Sequence, residues 1–312
     1  MINIPDDVQD WIRNIFKQCN DEATSLLDGN PNCYEEYLDI AFVNILKRNG
    51  RATKFDNGWK VKIDTHFLGK VHMYGNFEIA DIGFLVMFRS GGKIVRSKVG
   101  LLQSKRLYPD SIEPEDQNEM MWRYGEGFAG LFADDSDFAL MVQEQVITFE
   151  EDDKYKALKA ASEQIDAIDE YQAEHQMPIY YLFYNPGQIP LSVNVPASAQ
   201  PEPVENAIGA RILPSAAVHD LVKSLGTSPS YKDLKTLGAP YVGENLAGWR
   251  LETFVVDRLL QCKDGRRFYA PNDPALYNVF YRRTRPIAAA LSITIDSPSD
   301  FTWDVIPDGE SG

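Results

Sequence analysis

Polar and apolar positions along the chain sort first into a hairpin. Two strand-like apolar runs, at 79–88 and 95–102, flank Gly91-Gly92. Paired glycines between such runs predict a β-hairpin, because the tight turns that match strand twist need positive φ at their central positions. Upstream, residues 59–67 alternate around Val61, Ile63 and Thr65 and predict another strand. Residues 179–184, IYYLFY, are dense in aromatic and β-branched side chains and predict a buried central strand. Residues 210–213 and 288–295 read as further strands.

Helical spacing governs four other stretches. Val8, Ile12, Ile15 and Phe16 lie on one stripe of 1–29. Leu38, Phe42, Ile45 and Leu46 do so in 34–48, which stops at Asn49-Gly50. Leu158, Ala161, Ile165 and Ile168 follow the same period in 154–176. Leu251, Phe254, Val255 and Leu259 do so in a helix from Gly248 that stops at Asp264-Gly265. Residues 186–206 are rich in proline, alanine and serine and predict a long loop or boundary. The whole reads as an α/β fold, with a mixed central sheet flanked by helices.

The polar residues at the hairpin's ends carry the candidate chemistry. Asp81 opens the first strand, and Gln103, Ser104 and Lys105 close the second. Side chains alternate along a strand, so Gln103 and Lys105 share a face while Ser104 points away. Antiparallel pairing brings Asp81 to the same end. A carboxylate, an amide oxygen and an ammonium gathered there can bind a divalent metal and steady a phosphate. The same residues also admit a plain reading, in which Asp81 caps a turn and Gln103 and Lys105 close an ordinary strand.

The pattern resembles the PD-(D/E)xK nucleases, in the QxK variant of Mrr-like restriction enzymes. Ala80-Asp81 stands where that family has Pro-Asp, and Gln103-Ser104-Lys105 stands where it has (D/E)-x-K. The family also has a glutamate on a helix before the hairpin. Glu35 and Glu36 both qualify, with Glu35 preferred because it lies one turn before Leu38 on the apolar stripe. The helix of 155–176 and the strand of 179–184 match the family's following helix and strand. The resemblance covers about residues 30–190 and implies a restriction-endonuclease-like core over 1–190, with an acidic insert at about 110–153. Residues 191–312 would then form a C-terminal α+β accessory region packed on that core.

It further implies a metal-dependent DNA endonuclease, set in a bacterial anti-phage or restriction system. Asp81, Gln103 and Glu35 or Glu36 would hold Mg²⁺, with Mn²⁺ as a substitute, and Lys105 would position the attacking water. Two other readings fit the same core: a non-catalytic scaffold or binding protein, and an RNase.

Charge changes this picture in one respect. The net charge of −15 opposes a nucleic-acid partner. The excess lies wholly within residues 110–176, however, and the rest of the chain is balanced. Lys93, Arg96, Lys98 and Arg106 are candidate DNA phosphate contacts, with further basic groups at 263–267 and 282–285. The acidic segment is the expected docking surface for a protein partner, and a homo-oligomer is a further expectation. Cys19, Cys33 and Cys262 lack CxxC spacing, and the four histidines lack ligand spacing, so neither a disulfide frame nor a zinc site is expected. No apolar run is long enough for a bilayer span and the N-terminus does not read as a signal peptide, so a cytoplasmic protein is expected.

Overall fold

Two helices lead the chain in a computed structural model, which describes residues 3–67, 79–109, 145–195, 201, 204–242, 247–269, 273–280 and 286–303. They are α1 (Asp6–Gly29) and α2 (Glu35–Asn49), followed by the short β1 (Thr53–Lys54) and by β2 (Lys60–Phe67). The hairpin is β3 (Ala80–Ser90) and β4 (Lys93–Arg106). Gly91 and Gly92 take φ of +55° and +79°, and a Cβ on either would meet nothing within 4 Å. The turn therefore needs glycine for its backbone conformation and not for space.

Beyond the hairpin come β5 (Gln145–Phe149), α3 (Glu163–His175), β6 (Ile179–Tyr184), β7 (Leu191–Val195) and β8 (Arg211–Pro214). Next are α4 (Ser215–Leu225), α5 (Tyr231–Val242) and β9 (Trp249–Arg250). A helix that begins at Leu251–Thr253 and continues π-helically over Phe254–Leu260 is α6. The last elements are β10 (Arg266–Phe268), α7 (Pro274–Phe280) and β11 (Ile287–Ser297).

Nine strands form one mixed sheet in the order β1-β2-β11-β3-β4-β6-β8-β9, with β10 added against β4. β11 runs parallel to β3, and β6 runs parallel to β4; the other neighbours are antiparallel. β5 and β7 make a separate two-stranded sheet. Helices cover both faces of the large sheet. Phe16 of α1 and Phe42 of α2 meet Phe84 of β3 on one side, with ring centroids 5.8 to 6.5 Å apart. Tyr181 and Tyr184, three positions apart on β6, point to opposite faces. The first hydroxyl bonds His219 of α4 and the second bonds Asp39 of α2.

Two expectations are corrected here. Residues 191–312 are not an accessory unit laid on a finished core: β8, β9, β10 and β11 are strands of the same sheet, and β11 separates β2 from β3. No local turn signal announces a parallel partner that arrives from some 200 residues away. The helix expected over 154–176 begins only at Glu163, where the Ser162 hydroxyl caps it. Tyr155 is instead held in the core, its N–H donating to Pro229 and its hydroxyl to Asn185, while Lys154 bridges Tyr108 and Ser230. The predicted loop of 186–206 contains β7. Most of the acidic segment, 110–144, and the basic group at 281–285 lie outside the described residues, as does the connection at 68–78. Among the described residues no helix is long and apolar enough to cross a membrane.

Candidate functional site

β4 outruns its partner. The β3–β4 ladder ends at Ile82 opposite Leu102, so Gln103–Arg106 continue beside β6 on one edge, while among the described residues no strand pairs with their other edge. Side chains take over that edge. The Ser104 N–H donates to Asp81 Oδ2 at 2.6 Å, and Gln103 Nε2 donates to the same oxygen at 2.6 Å. Two residues further along the strand, the Arg106 N–H donates to Glu35 Oε1 at 3.2 Å. Lys105 Nζ lies 3.6 Å from Glu35 Oε2. The first turn of α2 thus closes over the end of β4, and Asp81, Gln103, Lys105 and Glu35 come together.

Glu36 stands on the exposed side of the same turn. Of the two glutamates, Glu35 is the one brought to the cluster.

Asp39 joins the group without having been singled out from the sequence. It follows Glu35 by four positions, so both project toward β4. Its Oδ1 accepts the Ser104 hydroxyl at 2.6 Å and the Tyr184 hydroxyl at 2.7 Å. Burial pushes this carboxyl well above the usual range, and the negative charges of Asp81 and Glu35 push the same way; the two hydroxyl donors oppose them. Its signal in the sequence is a carboxylate between Leu38 and Phe42 on an apolar stripe, which requires buried partners. Ser104 does point away from Gln103, but it points to this acid and not to a bystander layer.

The donor set suits a hard cation. Gln103 is 3% exposed, and its Oε1 is buried without a hydrogen-bond partner. An unsatisfied buried carbonyl oxygen is costly, and a cation beside it would supply what is missing. With Asp81, Glu35 and Asp39 the available ligands are all oxygens, the set that magnesium prefers over zinc or copper. Among the described residues no three acid, histidine or cysteine side chains form a ready cage. A metal here would therefore complete its shell with the amide oxygen and water.

The proposed phosphate contacts are placed differently from the expectation. Lys93 is exposed at the hairpin tip, ten residues before Gln103, which on an extended strand is about 33 Å from the cluster. Arg96 is 6% exposed, with its guanidinium 6.0 Å from the Tyr269 ring. Lys98 is fully buried, and its Nζ has no hydrogen-bond partner. Arg106 is 3% exposed, donates to the Pro31 carbonyl and lies 3.9 Å over the Tyr108 ring. Arg96, Lys98 and Arg106 are thus turned inward, which removes them from an open phosphate-binding face. A count of basic residues on a strand does not tell which of them the opposite layer covers.

Searches of protein-family models, curated proteins and solved structures return no match to this chain.

Proposed function

We propose that the chain is a metal-dependent DNA endonuclease whose active centre is Asp81, Gln103, Lys105 and Glu35, with Asp39 beneath them. The observation that carries this reading is the unpartnered amide oxygen of Gln103, set among carboxylates and next to a lysine. Magnesium would be held by Asp81, Gln103 and Glu35, and when bound would acidify its water and polarise a phosphoryl oxygen. Lys105, close to Glu35, would orient that water and offset negative charge developing on the phosphate. Ser104 and Tyr184 fix Asp39 from two sides and so hold the floor of the centre in place.

A second reading has an observation of its own. Asp81 and Glu35 both accept backbone N–H groups of β4, as edge-capping residues of a non-catalytic scaffold would. Cleavage separates the two. Negatively supercoiled plasmid and circular single-stranded DNA are incubated with Mg²⁺ or Mn²⁺ and wild type, Asp81→Asn or Lys105→Ala. Asparagine keeps an acceptor for the Ser104 N–H, so the fold should survive; circular dichroism checks it. The nuclease reading expects cutting by wild type alone, and a thermal midpoint that Mg²⁺ raises in wild type but not in Asp81→Asn. Wild type that neither cuts nor responds to Mg²⁺ leaves the scaffold. Folded variants that cut like wild type remove the assigned residues.

A further inference from the structure

We infer that the chain binds a phosphate group between Arg211 of β8 and Arg250 of β9, with the Tyr231 hydroxyl as a third donor. The site lies apart from the Asp81 cluster and does not depend on the nuclease reading.

Its core is a buried cation that no side chain answers. Arg211 is 5% exposed, and its guanidinium has no hydrogen-bond or ion-pair partner among the described residues. Nε is sealed from solvent, whereas the two terminal nitrogens still touch it. A buried charge without a partner is strongly destabilising.

The register of the sheet adds a second charge. Arg211 pairs with Arg250 across the antiparallel β8–β9 edge, so the two side chains leave the same face about 5 Å apart at Cβ. Like charges set opposite each other repel. Burial first, and the charge of Arg250 after it, hold the pKa of Arg211 below the usual arginine value. A guanidinium is nevertheless a cation at neutral pH.

The acids within reach are engaged elsewhere. Glu252 Oε1 lies 3.0 Å from Arg250 Nε, and its Oε2 accepts from Asn20 at 3.3 Å. Glu151 accepts from Lys235 at 2.8 Å.

A third donor comes from the helical layer. Phe183 stands beside Arg211 on β6, and the Tyr155 ring packs 4.7 Å from it. The Tyr155 N–H donates to Pro229, and the Tyr231 N–H donates to Asp153. These contacts carry Tyr231, the first residue of α5, to the face of Arg211, where each bears on the other's protonation. Tyr231 is 5% exposed, and its hydroxyl has no hydrogen-bond partner among the described residues.

The arrangement thus offers donors and positive charge. The planar fork of arginine matches the oxygens of a phosphate. Donors arriving both from a strand pair and from a helix suit a tetrahedral anion better than a flat carboxylate. Access is from the side of Arg250, whose side chain is 30% exposed.

Thermal unfolding and phosphorus NMR test this with inorganic phosphate and with thymidine 5′-monophosphate, at fixed ionic strength, with chloride and acetate as controls. Phosphate should broaden in the NMR spectrum and raise the wild-type midpoint saturably, by about 2 °C once it is about tenfold above its dissociation constant. Arg211→Met removes a buried charge that has no partner, so it should fold and melt no lower than wild type, and it should lose the saturable rise. Tyr231→Phe keeps the ring and should weaken phosphate binding about tenfold. Binding of inorganic phosphate alone makes the ligand a free anion, and binding of the monophosphate makes it the terminal phosphate of a larger molecule; either sustains the site. Phosphate also stabilises proteins by exclusion from their surface, an effect that does not saturate and is shared by wild type and Arg211→Met. That effect alone, an equal response to acetate, or an Arg211→Met variant that binds like wild type overturns the inference.

Discussion

Replacing Lys98 by methionine should stabilise the protein at neutral pH and leave DNA binding untouched. Lys98 is fully buried on β4, and its Nζ finds no hydrogen-bond partner. Burial is the main reason that its pKa falls from 10.5 to about 8; Arg267 and Arg258 lower it further, and Cys262 and Asp264 oppose them. Each pKa unit corresponds to about 1.4 kcal/mol, so holding the ammonium charged in the folded state at pH 7 costs about 3 kcal/mol. The sign follows from the depressed value. Above the unfolded pKa of 10.5 the amine is neutral in both states and the penalty is absent; it grows as pH falls to about 8 and is constant below. Methionine keeps most of the stem's volume and carries no charge. Urea unfolding at pH 7, 8, 9 and 10 should therefore show an advantage for Lys98→Met of about 3 kcal/mol at pH 7, and thermal unfolding at that pH a midpoint higher by about 5 °C in a chain of this size. By pH 10 most of that advantage should be gone. A variant less stable than wild type at pH 7, or an advantage that does not shrink with pH, would refute the reasoning. A loss of oligonucleotide binding would restore Lys98 to the surface as a phosphate contact.

Two further changes probe groups that the fold holds under tension or in register. Asp28, 5% exposed, accepts the Gly187 N–H, yet burial raises its pKa from 3.8 to about 6. For an acid shifted upward the stabilisation is complete below 3.8 and is lost as pH rises through 6. Wild type should thus lose roughly 2 kcal/mol relative to Asp28→Asn between pH 4 and pH 7, and a difference in unfolding free energy that stays flat over that interval would contradict it. Ser104→Ala removes a buried hydroxyl donor from Asp39 Oδ1 and leaves that of Tyr184 in place. It should cost about 1 to 2 kcal/mol in urea unfolding and strengthen the protonated-carboxyl band of Asp39 in infrared difference spectra; unchanged stability would show that the hydroxyl is not engaged.

What the sequence disclosed, and what it withheld, divides along the range of the interactions. The Gly91-Gly92 turn, the alternation of β2 and the dense aromatic and β-branched run of β6 are local signals, and all three elements form where the pattern puts them. The meeting of Asp81 with Gln103 follows from that hairpin, since pairing across a two-residue turn fixes which strand ends coincide. Three features depended on distant partners and were not legible. Parallel pairing of β11 with β3 joins residues 287–297 to 80–90 with no connecting turn to predict it. Tyr155 and Leu158 fit a helical period, yet the core contacts of Tyr155 outcompete helix formation there. The inward turn of Lys98 and Arg106 depends on α6, β10 and the chain around Pro31, none of which the strand's own pattern names.

Asp39 is the instructive omission, because its position explains why the cluster sits where it does. A charge within the apolar stripe of α2 would destabilise that helix's packing unless something on the sheet answered it. Ser104 and Tyr184, on neighbouring parallel strands, both do. Their hydroxyls pin α2 over the stretch of β4 that runs past the end of the β3 ladder, and this carries Glu35 to the Arg106 amide and the Lys105 ammonium. The carboxylates therefore have a structural task before any ligand arrives: Asp81 and Glu35 accept the Ser104 and Arg106 N–H groups of β4. That task brings Asp81 and Glu35 near Asp39, whose pKa is raised first by burial and further by their negative charges. A divalent cation would offset those charges and would meet the Gln103 amide oxygen, which is buried without a hydrogen-bond partner.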